Sequence, residues 1–249
     1  MKNNSLYVII GISSYLGSEL AKQLLTLNKN VVGTYHNDTL GLLQPIHSKY
    51  PKLKLYPLDV RVDTEINSFY IWLKKMSEAV TSLNLVYCCG RWHQGLTETL
   101  SSADIDNTIG INLRAPVLFA TFLLKSDIKP FSFVFVTGLA NSGGINGGGL
   151  YNICTNGIYT FIKTFALELA TRPNCYCMGL ALGLYNKGQP YFSALAQDLK
   201  LSGTGKLSDV AEWIIRLFQN EFPLINGAII ELSNCVQSYG QVINWLATH

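Results

Sequence analysis

The sequence is short of charge. Asp, Glu, Lys and Arg make up 14% of its 249 residues, against about 25% in an ordinary soluble domain, while 48% are hydrophobic. That balance excludes a disordered chain, which lacks the apolar surface to offset the entropy of ordering. No run of lysine and arginine is present and the formal net charge is +3, so nothing offers the basic stripe that grips nucleic acid or an acidic membrane surface. No C-x-x-C pair occurs among Cys88, Cys89, Cys154, Cys175, Cys177 and Cys235, and most lie in apolar runs, which predicts buried thiols in a reducing compartment. Histidine is scarce, and His36, His47, His93 and His249 stand far apart without supporting cysteine or carboxylate spacing, so no metal site is expected. The longest apolar stretch, Pro116 to Leu124, is far below the roughly 18 residues a membrane helix needs. Leu6 to Ile10 runs into Gly-Ile-Ser-Ser rather than a signal-peptide cleavage site. A cytoplasmic protein is expected.

Short apolar runs rich in β-branched and aromatic residues recur at Leu6–Ile10, Val31–Tyr35, Leu53–Tyr56, Leu83–Cys89, Phe131–Thr137, Cys175–Leu182 and Ala228–Leu232. They predict seven buried strands. Between them the period becomes helical, with Leu16, Leu20 and Leu24 at four-residue spacing and then Leu40–Lys49, Thr64–Val80, Ala103–Leu124, Tyr151–Ala170 and Val210–Gln219. Strands alternating with helices predict a doubly wound α/β fold of Rossmann type, a parallel sheet covered on both faces. With no repeat and no linker, residues 1–249 form one domain. The one long irregular stretch, Leu184 to Lys206, carries Tyr185, Tyr191, Phe192 and Leu195 and is expected to act as a lid over a substrate.

The first strand ends in Gly11-Ile12-Ser13-Ser14-Tyr15-Leu16-Gly17 and a helix follows at once. Glycines there permit a tight turn and close approach of a pyrophosphate, and a helix N-terminus supplies free N–H groups and positive potential. Further stations follow: Leu58-Asp59-Val60, Tyr87-Cys88-Cys89-Gly90, Asn112-Leu113-Arg114-Ala115-Pro116 and Asn226-Gly227-Ala228-Ile229-Ile230. Taken together the chain resembles, over nearly its whole length, the short-chain dehydrogenases/reductases in their small single-domain form. The family's turn is Thr-Gly-x-x-x-Gly-x-Gly; here Tyr15 replaces the middle glycine and Ile10 the threonine, with Ser14 standing where larger members place a glycine. The resemblance implies a nicotinamide dinucleotide held by Gly11, Ser13, Ser14, Tyr15, Leu16 and Gly17, by Asp59 and Val60 at the adenine, and by Cys89 and Gly90 after the fourth strand. Tyr35 stands where an NAD-selecting acid would be and His36 where NADP enzymes carry a cation, so NADP(H) is preferred over NAD(H). If the Tyr15 side chain blocks the pocket, no cofactor is expected. The family commonly forms dimers or tetramers through its long helices, which implies a homo-oligomer.

The family's chemistry uses a tyrosine as proton donor, a lysine four residues later, a serine that polarises the carbonyl, and a helix asparagine. A pair spaced by four shares one helix face, and a cation beside a phenol favours the phenolate. The aligned tyrosine is Tyr151 and the asparagine Asn112, but the lysine position holds Thr155 and the serine position Gly138. Tyr159 and Lys163 also show the spacing, yet they lie two turns too far along, and Lys163 reads as a surface residue. Thr137 or Ser142 could stand in for the serine, and Arg91 or His93 for the lost cation. Trp92 could line the pocket, and Cys154 reads as core. Three readings follow: an NADP(H)-linked carbonyl or alcohol oxidoreductase acting on a small organic molecule through Tyr151; a non-redox cyclase, dehydratase or isomerase using Tyr151 and His93 as acid and base; or an inactive binding subunit.

Overall fold

The computed structural model of the protein describes residues 4–125, 130–139, 146–183, 185, 205–219 and 226–232. Seven strands, β1 (Ser5–Ile10), β2 (Asn30–Tyr35), β3 (Lys54–Pro57), β4 (Ser82–Tyr87), β5 (Phe131–Gly138), β6 (Cys175–Leu182) and β7 (Ile229–Leu232), form one sheet in the order β3-β2-β1-β4-β5-β6-β7. Every neighbouring pair is parallel. The central β1 is buried at all six positions, as a strand covered on both faces must be.

Helices α3 (Asp63–Ser77), α5 (Ala115–Lys125) and α6 (Gly149–Leu169) pack on one face around Phe69, Phe119, Phe133, Phe135 and Phe165. On the other face α1 (Tyr15–Thr26), α2 (Leu43–Lys49) and α7 (Leu207–Phe218) pack around Ile9, Leu20, Leu24, Ile46 and Ile214. Helix α4 (Ser102–Ile109) begins with a reciprocal capping box between Ser101 and Asp104 and runs through a widened π turn at Gly110–Arg114 into α5. This is the expected doubly wound fold, with small shifts of boundary that have local causes. Strand β4 stops at Tyr87 instead of Cys89, because β1 turns away at Gly11, whose φ is +91°. Helix α2 starts at Leu43 instead of Leu40, where the Asp38 carboxylate accepts from the N–H groups of Leu42 and Leu43, both at 2.9 Å, and Pro45 falls in the first turn, where a missing N–H costs nothing. The segment 102–125 is one continuous helical rod and, with a mean hydropathy of 1.3 over an 18-residue window, the one described helix long and apolar enough to cross a membrane. It exceeds the nine-residue apolar stretch visible in sequence because helix continuity does not require every residue to be apolar, and its Phe119, Ala120 and Leu123 are buried in the core. Of the expected lid, only Tyr185, Gly205 and Lys206 are described residues; the rest, like Ser142, Cys235 and His249, lies outside them.

The chain passes from β3 at one edge back across to β4, so loops leave β1 and β4 in opposite directions. A crevice therefore opens at the carboxyl ends of these strands, where ligands bind in such sheets. Its shape depends on Gly17, since a Cβ there would fall onto the Gly11 carbonyl and within 2.9 Å of the Ile12 Cα. Both obstacles are backbone and cannot swing aside. The Gly17→Ala variant is expected to lose about 1–3 kcal/mol of stability, the usual cost of overpacking, read as a lowered urea midpoint against wild type; an unchanged midpoint would show that the turn relaxes freely.

Candidate functional site

The turn after β1 is anchored on β2. The N–H groups of Gly11 and Ile12 donate to the Thr34 carbonyl at 3.1 and 2.8 Å, and Gly11 N–H also reaches the Thr34 hydroxyl at 3.3 Å. Ser14 is the N-cap of α1: its hydroxyl donates to the Gly11 carbonyl at 2.8 Å and accepts from Gly17 N–H at 3.0 Å. Tyr15 and Leu16 are then the first two helical residues, whose N–H groups have no acceptor within a helix. Those donors, at the positive end of α1, suit an anion.

A cleft of about 480 Å³ adjoins this turn, lined by Gly11, Ser13, Ser14, Tyr35, His36, Asp59, Val60, Cys89 and Gly90 among others. These are most of the residues expected at a dinucleotide. One further residue, Arg61, was not singled out from sequence. Its guanidinium donates to both oxygens of Asp59 at 2.5 to 3.1 Å and to the Asn107 side-chain oxygen at 2.6 Å. The Arg61 hydrogen bonds hold the Asp59 carboxyl below its ordinary range, with His36 Nδ1 3.7 Å away as a minor contributor. The signal that could have found Arg61 is its spacing, two residues past an aspartate at a strand end.

A second cleft, about 410 Å³, shares Ser14, Cys88, Cys89 and Gly90 with the first and continues past Tyr15, Trp92, Thr137, Gly138, Tyr151, Leu182 and Tyr185. Tyr15 therefore lines this second cleft and not the first. Tyr151 sits in the first turn of α6, and its hydroxyl occupies the space a Cβ on Gly138 would fill. The Trp92 ring meets the Tyr151 ring edge to face, with centroids 4.7 Å apart. One turn beyond, Thr155 is 2% exposed and lines a separate small cavity of about 30 Å³ with Asn112, Thr137 and Tyr151. That volume exceeds what one water requires.

Asn112 lies in the π turn, and its amide is spent on backbone: Nδ2 donates to the Arg91 carbonyl at 2.7 Å and Oδ1 accepts from Arg91 N–H at 2.8 Å. The Tyr87 hydroxyl donates to the Ile111 carbonyl at 2.6 Å, satisfying a group near the widened turn. Arg91 and His93, the two candidates to replace the lysine, both turn to Asp104. His93 Nδ1 lies 3.5 Å and an Arg91 nitrogen 3.7 Å from Asp104 at the start of α4, and neither residue lines the second cleft. Aspartate in the first turn of a helix is well placed to collect them. Cys154 packs against α4, 3.8 Å from the Thr108 carbonyl, and burial pushes its thiol up to about 11. Burial likewise pushes Cys89 up to about 12, which makes neither a ready nucleophile. Lys163 is exposed, whereas Tyr159 donates to the Gly138 carbonyl at 3.3 Å. Among the described residues no group of three His, Cys, Asp or Glu is arranged to hold a metal.

Comparison with known proteins bears on this site. A family model described as Enoyl-(Acyl carrier protein) reductase matches residues 11–234. No curated protein matches the chain. Among solved structures, a short-chain dehydrogenase/reductase from Serratia marcescens superposes with a TM-score of 0.81 at 17% identity, covering 93% of this chain and 97% of that one. A blue fluorescent protein from a metagenomic library, in complex with NADPH, gives 0.80 at 17% identity over 95% and 99% of the two chains. A 4-hydroxyisoleucine dehydrogenase complexed with NADH and succinate gives 0.79 at 19% identity over 92% and 97%. At such identities the superpositions speak for the fold, and the family match extends over the glycine turn, the Asp59 strand end, the π turn and the helix of Tyr151. The chain belongs to the short-chain dehydrogenase/reductase family.

Proposed function

We propose that the protein binds NADP(H) and reduces the carbonyl group of a small organic molecule, with Tyr151 as proton donor. The observation that carries this reading is the union of two clefts at Ser14, Cys88, Cys89 and Gly90: one runs from the glycine turn to Asp59, and the other is lined by Tyr151. The cofactor fits the residues present, because the unspent N–H groups at the start of α1 suit a pyrophosphate beside Gly11, Ser13 and Ser14, and Asp59 and Val60 would border the adenine. Bound there, the reduced nicotinamide supplies the hydride. Tyr151 donates the proton to the carbonyl oxygen and recovers one from solvent. Reduction calls for a phenol as proton donor and oxidation for a phenolate as acceptor.

The choice of NADP(H) rests on charge. Tyr35 offers no carboxylate to a ribose diol, Arg61 compensates Asp59, and the exposed His36 imidazole stands beside them. In fluorescence titrations NADPH is expected to bind at least about fivefold more tightly than NADH, a difference of roughly 1 kcal/mol. His36→Ala should remove most of that margin. Equal or tighter NADH binding by wild type would overturn the assignment.

A second reading, nucleotide binding with no turnover, is favoured by one observation: the Tyr151 hydroxyl occupies the place of the absent serine side chain. Restoring a Cβ at position 138 must displace it. NADPH oxidation in the presence of a carbonyl panel separates the two. The reductase reading expects slow turnover that Tyr151→Phe abolishes and that the double variant Gly138→Ser/Thr155→Lys accelerates at least about tenfold. NADPH binding without turnover across the panel would select the second reading.

A further inference from the structure

One carboxylate in the first cleft is saturated by one arginine. The cleft runs from the glycine turn after β1 to Leu58, Asp59, Val60 and Arg61 after β3, with Ile111 of the π turn beside them. Strand β3 lies two strands from β1 in the sheet, about 10 Å away. A dinucleotide with its pyrophosphate at the turn would therefore set its base against this far group. Leu58, Val60 and Ile111 offer the ring apolar walls, and Asp59 is the one carboxylate in the described lining. An ionised carboxylate only accepts, at about four lone-pair sites over its two oxygens. Arg61 supplies contacts to match. Its backbone N–H and its Nε each lie 2.9 Å from Oδ1, while Nε at 3.1 Å and a terminal nitrogen at 2.5 Å face Oδ2. His36 Nδ1 stands 3.7 Å from Oδ2, and the Asp59 side chain is 13% exposed. The guanidinium is also tied to α4, donating to Asn107 Oδ1 at 2.6 Å.

We infer that this cleft holds the base of its dinucleotide by shape and is blind to the exocyclic amino group of adenine, because Arg61 occupies the acceptor sites of Asp59. The inference rests on the dinucleotide reading of the cleft. An amino group is recognised by an acceptor, and a carboxylate is the strongest one a side chain can offer. To accept from the base, Asp59 would have to release a bond to Arg61, exchanging a contact charged at both ends for one to a neutral donor, which is weaker. Arg61 cannot swing aside without also leaving Asn107. Nor can it replace the acceptor, since a guanidinium carries donors alone. The side-chain acceptors of Tyr35 and Asn37 stand at the end of β2, one strand nearer the glycine turn. Asp59 is thus a positioning partner for Arg61, and the apolar walls do the holding.

The test is equilibrium titration of the full chain with two probes, NADPH and its analogue carrying purine in place of adenine, which keeps ring N1 and lacks only the amino group. Emission of the reduced nicotinamide reports both. Wild type is expected to bind the two within about threefold of each other, well short of the tenfold or more that a hydrogen bond to a charged acceptor supplies. Arg61→Leu frees Asp59 and is expected to raise the preference for NADPH to about tenfold. Adding Asp59→Leu to that variant should abolish it again. Each result is a ratio of two affinities in one protein, so a general weakening of the cleft cancels, and circular dichroism checks that each variant is folded. A wild-type preference for NADPH above about threefold overturns the inference and leaves the dinucleotide reading standing; it decides alone if Arg61→Leu does not fold. A folded Arg61→Leu variant that gains no preference also overturns it. Binding of neither probe to wild type would sink the dinucleotide reading and the inference with it.

Discussion

Backbone must approach backbone at the end of β1, and the arrangement of both clefts follows from that contact. The Gly11 carbonyl lies where a side chain on Gly17 would be, the Cys89 thiol fills the space a side chain on Gly11 would need, and the Ile12 side chain fills the space over Gly33. Three residues without side chains therefore lock β1, β2, β4 and α1 together at one point. The consequence is chemical: the helix start is aimed into the crevice with its first N–H groups unspent, and the ends of β1 and β4 lie side by side to form its floor. Bulk added at any of the three would open the turn and misdirect the donors.

From that floor the chain builds a brace. Residues 90–95 leave β4 and are fastened at both ends, by the paired hydrogen bonds between Arg91 and Asn112 and by Gly95 N–H to the Gly147 carbonyl at 2.9 Å. Asp104 holds Arg91 and His93 from the start of α4. Pinned this way, the loop delivers Trp92 onto Tyr151. The same geometry that brings Trp92 to the cleft turns Arg91 and His93 toward Asp104, so this loop makes the site more apolar than its composition suggests.

The losses at the catalytic centre are coupled. With no side chain on Gly138, Tyr151 packs into the vacated space, and with Thr155 in place of a long cation, a cavity of about 30 Å³ remains beneath it. A small hydroxyl residue cannot fill the reach of a lysine, so the void is the steric counterpart of the missing charge. The site keeps a phenol next to the cleft at the glycine turn, with apolar and aromatic side chains around it.

Runs of β-branched and aromatic residues alternating with helical periods were enough to establish the parallel α/β fold, because a buried strand and an amphipathic helix each impose their own spacing on apolar residues. Gly11, Asp59, Asn112 and Tyr151 could be picked out because each belongs to a short motif of the family, and the structure sets Gly11 and Asp59 along the first cleft and Tyr151 along the second. Arg61 escaped notice because its role depends on a bidentate contact with Asp59 and on Asn107 from a different element. The π turn escaped because it does not interrupt the apolar pattern of helix 102–125. What the sequence by itself determined is which groups are available: a glycine-lined turn, a phenol, and no lysine or serine beside it. Only tertiary structure decided where they point. That Tyr15 lines the second cleft and not the first, that His93 turns to Asp104, and that Trp92 meets Tyr151 depend on side-chain directions set by packing between elements far apart in the chain, and no local spacing encodes those directions.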